Sequence, residues 1–361
     1  MSTSTKNASR IHWTLLCCDV LPGLKPWASR EIAARFGGRV TLLDSDDPEA
    51  IYLRYSGDLR ELFALRMVVA VSLLESFEVP RPRALLGHQH YHRLLERIEQ
   101  VRRLHPPNAF AGLRISAAGA SSSVFMQLKA QLSADTGLPA DVEEADLLLR
   151  VRPAQFAADV WEVLIRLTPR PLATRAWRVH QMKGAMNATI AAAMVEMTDP
   201  QPEDRFLNLM CGSGALLIER LHRGPVAMAV GCDLDHEALA GAQENLAYGR
   251  AVDKVLLCQA DATQLPFLSA SFRVLCADLP WGQLSGSHEA NRDLYPQLLA
   301  EAARLAVPGA KLALLTHEIK LLESLLPAFT TLWELEEVVK ILQGGMHPRI
   351  YLLRRTDTVR S

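Results

Sequence analysis

The 361-residue chain has no surplus of charge: 39 Lys plus Arg stand against 40 Asp plus Glu, for a formal net charge of -1. A nucleic-acid binder that relied on a uniformly basic surface would carry a large positive excess, so that design is excluded. The six cysteines, Cys17, Cys18, Cys211, Cys232, Cys258 and Cys276, include no CxxC pair. This argues against a disulfide framework or a zinc site and for reduced, mostly buried thiols. The chain has no apolar run of the ~18 residues that a membrane span requires, and its opening stretch, Met1–Ser9, is polar and unlike a secretory leader. The expected location is therefore the cytoplasm. Internal repeats and low-complexity tracts are missing too, which removes solenoids, collagen-like repeats, coiled coil and disorder as the main architecture. What remains, at 49% hydrophobic and 22% charged residues, is an ordinary globular composition with length for two or three domains.

The near-zero total hides a division. Residues 1–197 hold 24 basic and 20 acidic side chains and residues 198–361 hold 15 and 20, so the two parts carry +4 and -5. The surplus is local: Arg81–His105 contains six Arg, four His and two Glu, and Arg166–Lys183 contains five basic residues and no acid. Taken alone, each run reads first as a solvated helix face or linker. The series His88, His90, His92 has no accompanying Cys or carboxylate pattern, so no metal site is expected.

Punctuation and hydrophobic period divide the chain into three blocks. The first, residues 10–80, has an apolar segment at Trp13–Val20, a helix at Lys25–Phe36, strands at Arg39–Leu43 and Ile51–Tyr55, and a helix at Asp58–Met67. Asp58 is the expected N-cap of that last helix, with Glu61 completing a capping box. The second block, residues 81–170, follows Pro80-Arg81-Pro82-Arg83 with a helix over Leu85–Leu104 that Pro106-Pro107 ends. A strand at Phe110–Ser116, a helix at Val124–Thr136 and strands at Leu147–Val151 and Trp161–Leu167 complete a second α+β module. A linker, residues 171–199, carries a helix over Asn187–Met197. From 200 to 361 the rhythm becomes strand, turn, helix, repeated, which predicts a doubly wound parallel α/β sheet. Leu332–Leu342 and Ile350–Arg354 predict a closing antiparallel hairpin.

In this last block the first strand ends in Asn208-Leu209-Met210-Cys211-Gly212-Ser213-Gly214 and passes straight into a helix. Glycines there let the backbone approach a ligand closely and present N–H groups at a helix N-terminus. A dinucleotide fingerprint needs a further small residue where this chain has Leu217, which argues against NAD. Asp233 ends the next apolar strand, where a carboxylate can hydrogen-bond both hydroxyls of a ribose; the competing role is capping the helix near His236. Asp261, in Gln259-Ala260-Asp261-Ala262, ends the third strand, where an adenine amino group would lie. The fourth strand ends in Asp278-Leu279-Pro280-Trp281-Gly282. A buried acid, a proline carbonyl without an N–H, an indole and a glycine suit a planar group that bears an amine.

This series of a glycine turn, a strand-end Asp and Asp-x-Pro-aromatic-Gly resembles the class I S-adenosylmethionine-dependent methyltransferases that methylate amines, whose usual motif is Asp/Asn-Pro-Pro-aromatic. Upstream, Leu149-Arg150-Val151-Arg152, Leu167–Leu172, Arg175-Ala176-Trp177-Arg178 and Ala185–Val195 are similar to the end of a THUMP domain and its junction with a methyltransferase. The combination resembles the THUMP-containing tRNA guanine-N2 methyltransferases over residues 140–361, and the first 80 residues match their ferredoxin-like domain in position and pattern. Asn208 stands where many relatives have an acid, and Leu279 replaces the first Pro of the motif, a lean toward tRNA guanine enzymes over adenine-N6 DNA enzymes.

The resemblance implies a class I, Rossmann-like methyltransferase domain at 200–361, preceded by ferredoxin-like and THUMP-type modules. It implies S-adenosyl-L-methionine held by Asn208, Cys211, Gly212, Ser213, Gly214, Asp233, Leu234, Asp261, Ala262 and Asp278. Asp278 and the carbonyls of Leu279 and Pro280 would accept the hydrogens of a flipped-out guanine amine while Trp281 stacks on the base. The tRNA would be held through Arg93, Arg97, Arg102, Arg103, Arg170, Arg175, Arg178 and Lys183. No membrane and no obligatory protein partner are expected. The alternatives are a guanine-N2 methyltransferase of 23S ribosomal RNA, an adenine-N6 DNA methyltransferase and a non-catalytic RNA-binding protein.

Overall fold

The computed structural model describes residues 12–140, 145–155, 157–282 and 287–356. The polar stretch Met1–Ser9 lies outside them. Two compact units are present, one made of the described residues up to Val20 with Ser29–Leu172, the other of Leu21–Ala28 with the described part of 173–361.

Up to Arg166 the elements run β1 (Thr14–Asp19), α1 (Lys25–Phe36), β2 (Val40–Leu43), β3 (Ala50–Tyr55), β4 (Ala70–Phe77), α2 (His88–Arg102), β5 (Leu113–Ala117), α3 (Ser123–Thr136), β6 (Leu147–Pro153) and β7 (Trp161–Arg166). They build one seven-stranded sheet in the order β2-β3-β1-β4-β7-β6-β5. The two expected modules, 10–80 and 81–170, therefore share a sheet: β4 from one pairs antiparallel with β7 from the other, Leu74 opposite Leu164. The sequence pattern gives no sign of β4. Residues Ala70 to Leu74 are all buried, and a central strand covered on both faces shows none of the alternation that marks a strand.

The expected helix at Asp58–Met67 is a shorter 3-10 turn, Leu59–Ala64. Asp58 does cap it, accepting from the Arg60 N–H. No capping box forms, because the Glu61 carboxylate is taken by Arg39 and by the Tyr55 hydroxyl. The helix expected from Leu85 starts at His88, after a 3-10 turn over Pro82–Leu86. Its buried residues, Tyr91, Leu94, Ile98 and Val101, recur every three or four positions and form one apolar face.

The second unit continues with α4 (Ala188–Met197), β8 (Arg205–Asn208), α5 (Ala215–Arg223), β9 (Met228–Asp233), α6 (His236–Tyr248), β10 (Val255–Gln259), β11 (Phe272–Asp278), α7 (His288–Leu305), β12 (Ala306–Thr316), α8 (Ile319–Leu325), β13 (Trp333–Lys340) and β14 (Arg349–Arg355). Its sheet has the order β10-β9-β8-β11-β12-β14-β13. The first five strands are parallel and the last two form the expected antiparallel hairpin, with β14 inserted between β12 and β13. Helix α7 begins at His288, where the Ser287 hydroxyl caps it, so Pro296 lies well inside. The order reverses between β8 and β11, and ligands of such sheets bind beyond the carboxyl ends of the strands at that point.

Candidate active site

A cleft of about 490 Å³ opens at that switch point, inside the second unit. Its wall includes Asn208, Cys211, Gly212, Ser213, Asp233, Asp278, Leu279, Pro280 and Trp281. Asn208 ends β8 almost fully buried, and its Oδ1 has no hydrogen-bond partner. Gly212 and Gly214 take φ values of +50° and +85°, a conformation that side chains resist and glycine adopts freely. A Cβ at Gly214 would also lie 3.3 Å from the Cβ of Ala242, so this glycine lets α6 approach the turn.

Asp233 braces the turn from the next strand. Its Oδ2 accepts from the Gly212 N–H at 2.7 Å and its Oδ1 from the Asp235 N–H at 3.0 Å. The helix cap that competed as its role belongs instead to Asp235, whose Oδ1 accepts from the Glu237 N–H at 2.9 Å. A carboxylate has about four acceptor sites, so two bonds to backbone leave Asp233 able to take others. Gly214, Leu234, Asp261 and Ala262 do not line the cleft. Leu234 is exposed, and Asp261 spends Oδ1 on the N–H and hydroxyl of Thr263.

At the other end of the cleft, Trp281 Nε1 donates to Asp278 Oδ1 at 3.2 Å. Burial pushes the Asp278 carboxyl up to about 7, opposed by the indole bond. Leu279 is buried in the core of the sheet, which is what an aliphatic side chain in the motif's second position provides. The Pro280 carbonyl accepts from Asn291 Nδ2 and from the Tyr295 hydroxyl, both at 2.8 Å. With both lone pairs engaged, it does not serve as the acceptor for a substrate amine that the motif suggested. Trp281 stacks on His317, with ring centroids 5.7 Å apart and planes 26° from parallel.

Two further segments complete the wall. Met182 to Asn187 covers the glycine turn, and Gln343 and Met346 enter from the tip of the β13–β14 hairpin. Fully buried Asn245, on α6, ties the first segment down: its Nδ2 donates to the carbonyls of Ser213 (3.0 Å) and His180 (3.2 Å), and its Oδ1 accepts from the His180 N–H (2.8 Å). Sequence reasoning missed Asn245, Asn291, Tyr295, His317 and Gln343. For Asn291 and Tyr295 the available signal was two polar side chains four apart on the apolar face of one helix.

Of the arginines expected to meet RNA, Arg93 and Arg97 pair with Glu75 at 2.9 and 2.7 Å, and Arg102 with Glu99 at 2.6 Å. Arg103 and Arg170 are exposed. Arg175 is a correction: it forms an ion pair with Glu219 at 3.0 Å, their side chains 5% and 0% exposed, and has no surface to offer a phosphate. Arg178 is largely withdrawn too, donating to the Met186 carbonyl at 2.7 Å, and burial lowers its pKa. Lys183 lines the cleft. Among the described residues no cluster of three or more His, Cys, Asp or Glu side chains could hold a metal ion.

A glycine turn braced by a strand-end acid, facing an Asp-x-Pro-aromatic turn across the switch point, resembles the layout expected of an amine methyltransferase. Comparison with known families agrees. Residues 175–347 match the model of the RMKL-like methyltransferase domain family, UPF0020. The mouse tRNA (guanine(6)-N(2))-methyltransferase THUMP3 is 30% identical over 186 residues, 47% of this chain and 36% of that protein. The Thermus thermophilus tRNA (guanine(6)-N2)-methyltransferase is 29% identical over 220 residues, 61% of this chain and 63% of that protein. The chain thus spans about a third of the mouse relative's length and just under two thirds of the bacterial one's. The crystal structure of TrmN from Thermus thermophilus superposes with a TM-score of 0.75 at 23% identity, covering 95% of this chain and 100% of that one. The methyltransferase domain has the class I, Rossmann-like fold.

Proposed function

We propose that this protein is an S-adenosylmethionine-dependent enzyme that methylates the N2 amine of a guanosine in tRNA, in the cytoplasm. The observation that carries the reading is the Asp278–Trp281 turn, held at one end of a cleft whose other end is the glycine turn with Asp233. The relatives named for guanine-N2 methylation of tRNA supply the substrate class.

The wall chemistry fits the cofactor. Asn208 offers a buried acceptor without a partner, and Asp233 and Asp278 suit a ligand that carries hydroxyl donors and positive charge. The N–H groups of Cys211, Gly212 and Gly214 are already donated to Cys232, Asp233 and Cys211, so the backbone at the start of α5, where Ser213, Ala215 and Leu216 line the cleft, would hold it, and Asp233 would take its ribose hydroxyls. When bound, S-adenosylmethionine supplies a methyl group electrophilic enough to need no further activation.

The protein's remaining task is to orient a poor nucleophile, because the guanine N2 lone pair is delocalised into the ring. Asp278 accepts a hydrogen bond from the amine and so directs that lone pair. Positive charge that develops on N2 is favoured by the carboxylate, which also stands ready to take the proton N2 must lose. Trp281, backed by His317, offers its other face to the base. A guanine in a stem must first leave the stack. The first unit, which includes the proposed ferredoxin-like and THUMP-type modules, would hold the tRNA through exposed residues such as Arg103 and Arg170.

Incubation with methyl-labelled cofactor and total tRNA, ribosomal RNA or DNA, followed by digestion to nucleosides, tests this. Label in N2-methylguanosine from tRNA is expected. Label in N6-methyladenosine, or in ribosomal RNA alone, overturns the reading.

A further inference from the structure

The two hydrogen bonds on the Pro280 carbonyl come from neighbours on α7, one turn apart, with Asn291 and Tyr295 both almost fully buried. Their direction is fixed. A carbonyl cannot donate, so the single hydroxyl hydrogen of Tyr295 goes to Pro280, and its oxygen accepts from Thr316 Oγ1 at 2.8 Å. Thr316 Oγ1 in turn accepts from the Glu318 N–H at 2.9 Å. A one-way chain therefore runs from the backbone after β12 through Thr316 and Tyr295 to the reactive turn.

Packing alone does not call for these groups. A phenyl ring would fill the Tyr295 site without a hydroxyl to satisfy, and Asn291 keeps Oδ1 buried without a partner while Nδ2 reaches Pro280. What both achieve is to lock the peptide that joins Pro280 to Trp281. Proline already fixes φ on the other side of that carbonyl. With the plane held, Trp281 is aimed so that its Nε1 meets Asp278 Oδ1.

We propose that Asn291 and Tyr295 are positioning residues for amine methylation: by holding the Pro280 carbonyl they set the indole and, through it, the Asp278 carboxylate. This rests on the function proposed above. Neither residue lines the cleft, so their effect falls on the chemical step and not on binding.

The test compares the full chain with Tyr295→Phe and Asn291→Ala, using labelled cofactor and total tRNA and counting methyl transfer to any base. The expected result for each variant is a kcat at least tenfold lower, with KM for tRNA and the Kd of S-adenosylhomocysteine within twofold of the parent. A second readout needs no turnover: the Trp281 indole Nε1–H resonance, assigned by its loss in Trp281→Phe, should shift or broaden in both variants. The proposal is overturned if kcat stays within twofold in both, or if the whole loss lies in KM or in the Kd. Product that is not N2-methylguanosine refutes the substrate reading and leaves the kcat comparison in force. If the parent transfers no methyl group, the enzyme reading fails and the resonance decides, an unmoved signal overturning the proposal.

Discussion

Asp278 carries two pH dependences that can be measured separately. Its carboxyl is pushed up to about 7, and only the ionised form offers charge to the developing cation and can take the proton that N2 loses. We therefore expect kcat/KM to rise with pH and level off above about 7, the profile of a group that must be deprotonated in the free enzyme. Asp278→Asn should leave a weak, pH-independent residue of activity. For stability the sign is opposite. A carboxyl whose folded pKa lies above its unfolded value stabilises the fold at low pH, and that contribution is lost as pH rises from about 4 through 7. Asp278→Asn should accordingly melt higher than the parent at pH 8, with the gap closing toward pH 4. Arg175 works differently, as a buried partner of Glu219. Removing one member of such a pair typically costs about 3 kcal/mol or more, so Arg175→Ala should lower the denaturation midpoint by that equivalent.

At the scale of elements, the cleft is assembled by segments far apart in sequence, and Asn245 joins two of them. Asn245→Ala removes bonds to the Ser213 carbonyl and to both backbone groups of His180. Losing hydrogen bonds worth roughly 1 kcal/mol each should weaken S-adenosylhomocysteine binding about tenfold or more in a calorimetric titration, with the fold intact. The strand ends were readable from sequence because each combines an apolar run with an abrupt polar residue: Asn208, Asp233 and Asp278 all reach the cleft. Asp261 fits the same pattern and lies outside the wall, because its carboxylate turns onto Thr263. Asn245, Asn291 and Gln343 could not be read that way. Asn245 and Asn291 act on backbone groups 2.8–3.2 Å away and Gln343 lines the cleft, placements that are set by tertiary packing. The basic run from Arg166 to Lys183 looked uniform, yet folding sends Arg175 inward and Lys183 to the cleft.

Over the whole molecule, charge is divided as +4 and -5 between residues 1–197 and 198–361. Phosphate attraction should therefore depend on a few exposed cations. Reversal of charge at Arg103 and Arg170 together in the full chain should weaken tRNA binding in a filter assay. It should also flatten the dependence of affinity on salt, and leave S-adenosylhomocysteine affinity unchanged. The strand order of the second unit bears on how the molecule is made. Because β14 lies between β12 and β13, β13 leaves the ribosome before the strand that must separate it from the rest of the sheet. Until residues 349–355 follow, β12 presents an open edge and β13 has nowhere to dock. While residues 349–355 are still to be made, the growing chain thus carries an unpaired, apolar strand edge, the surface that invites aggregation and that chaperones cover.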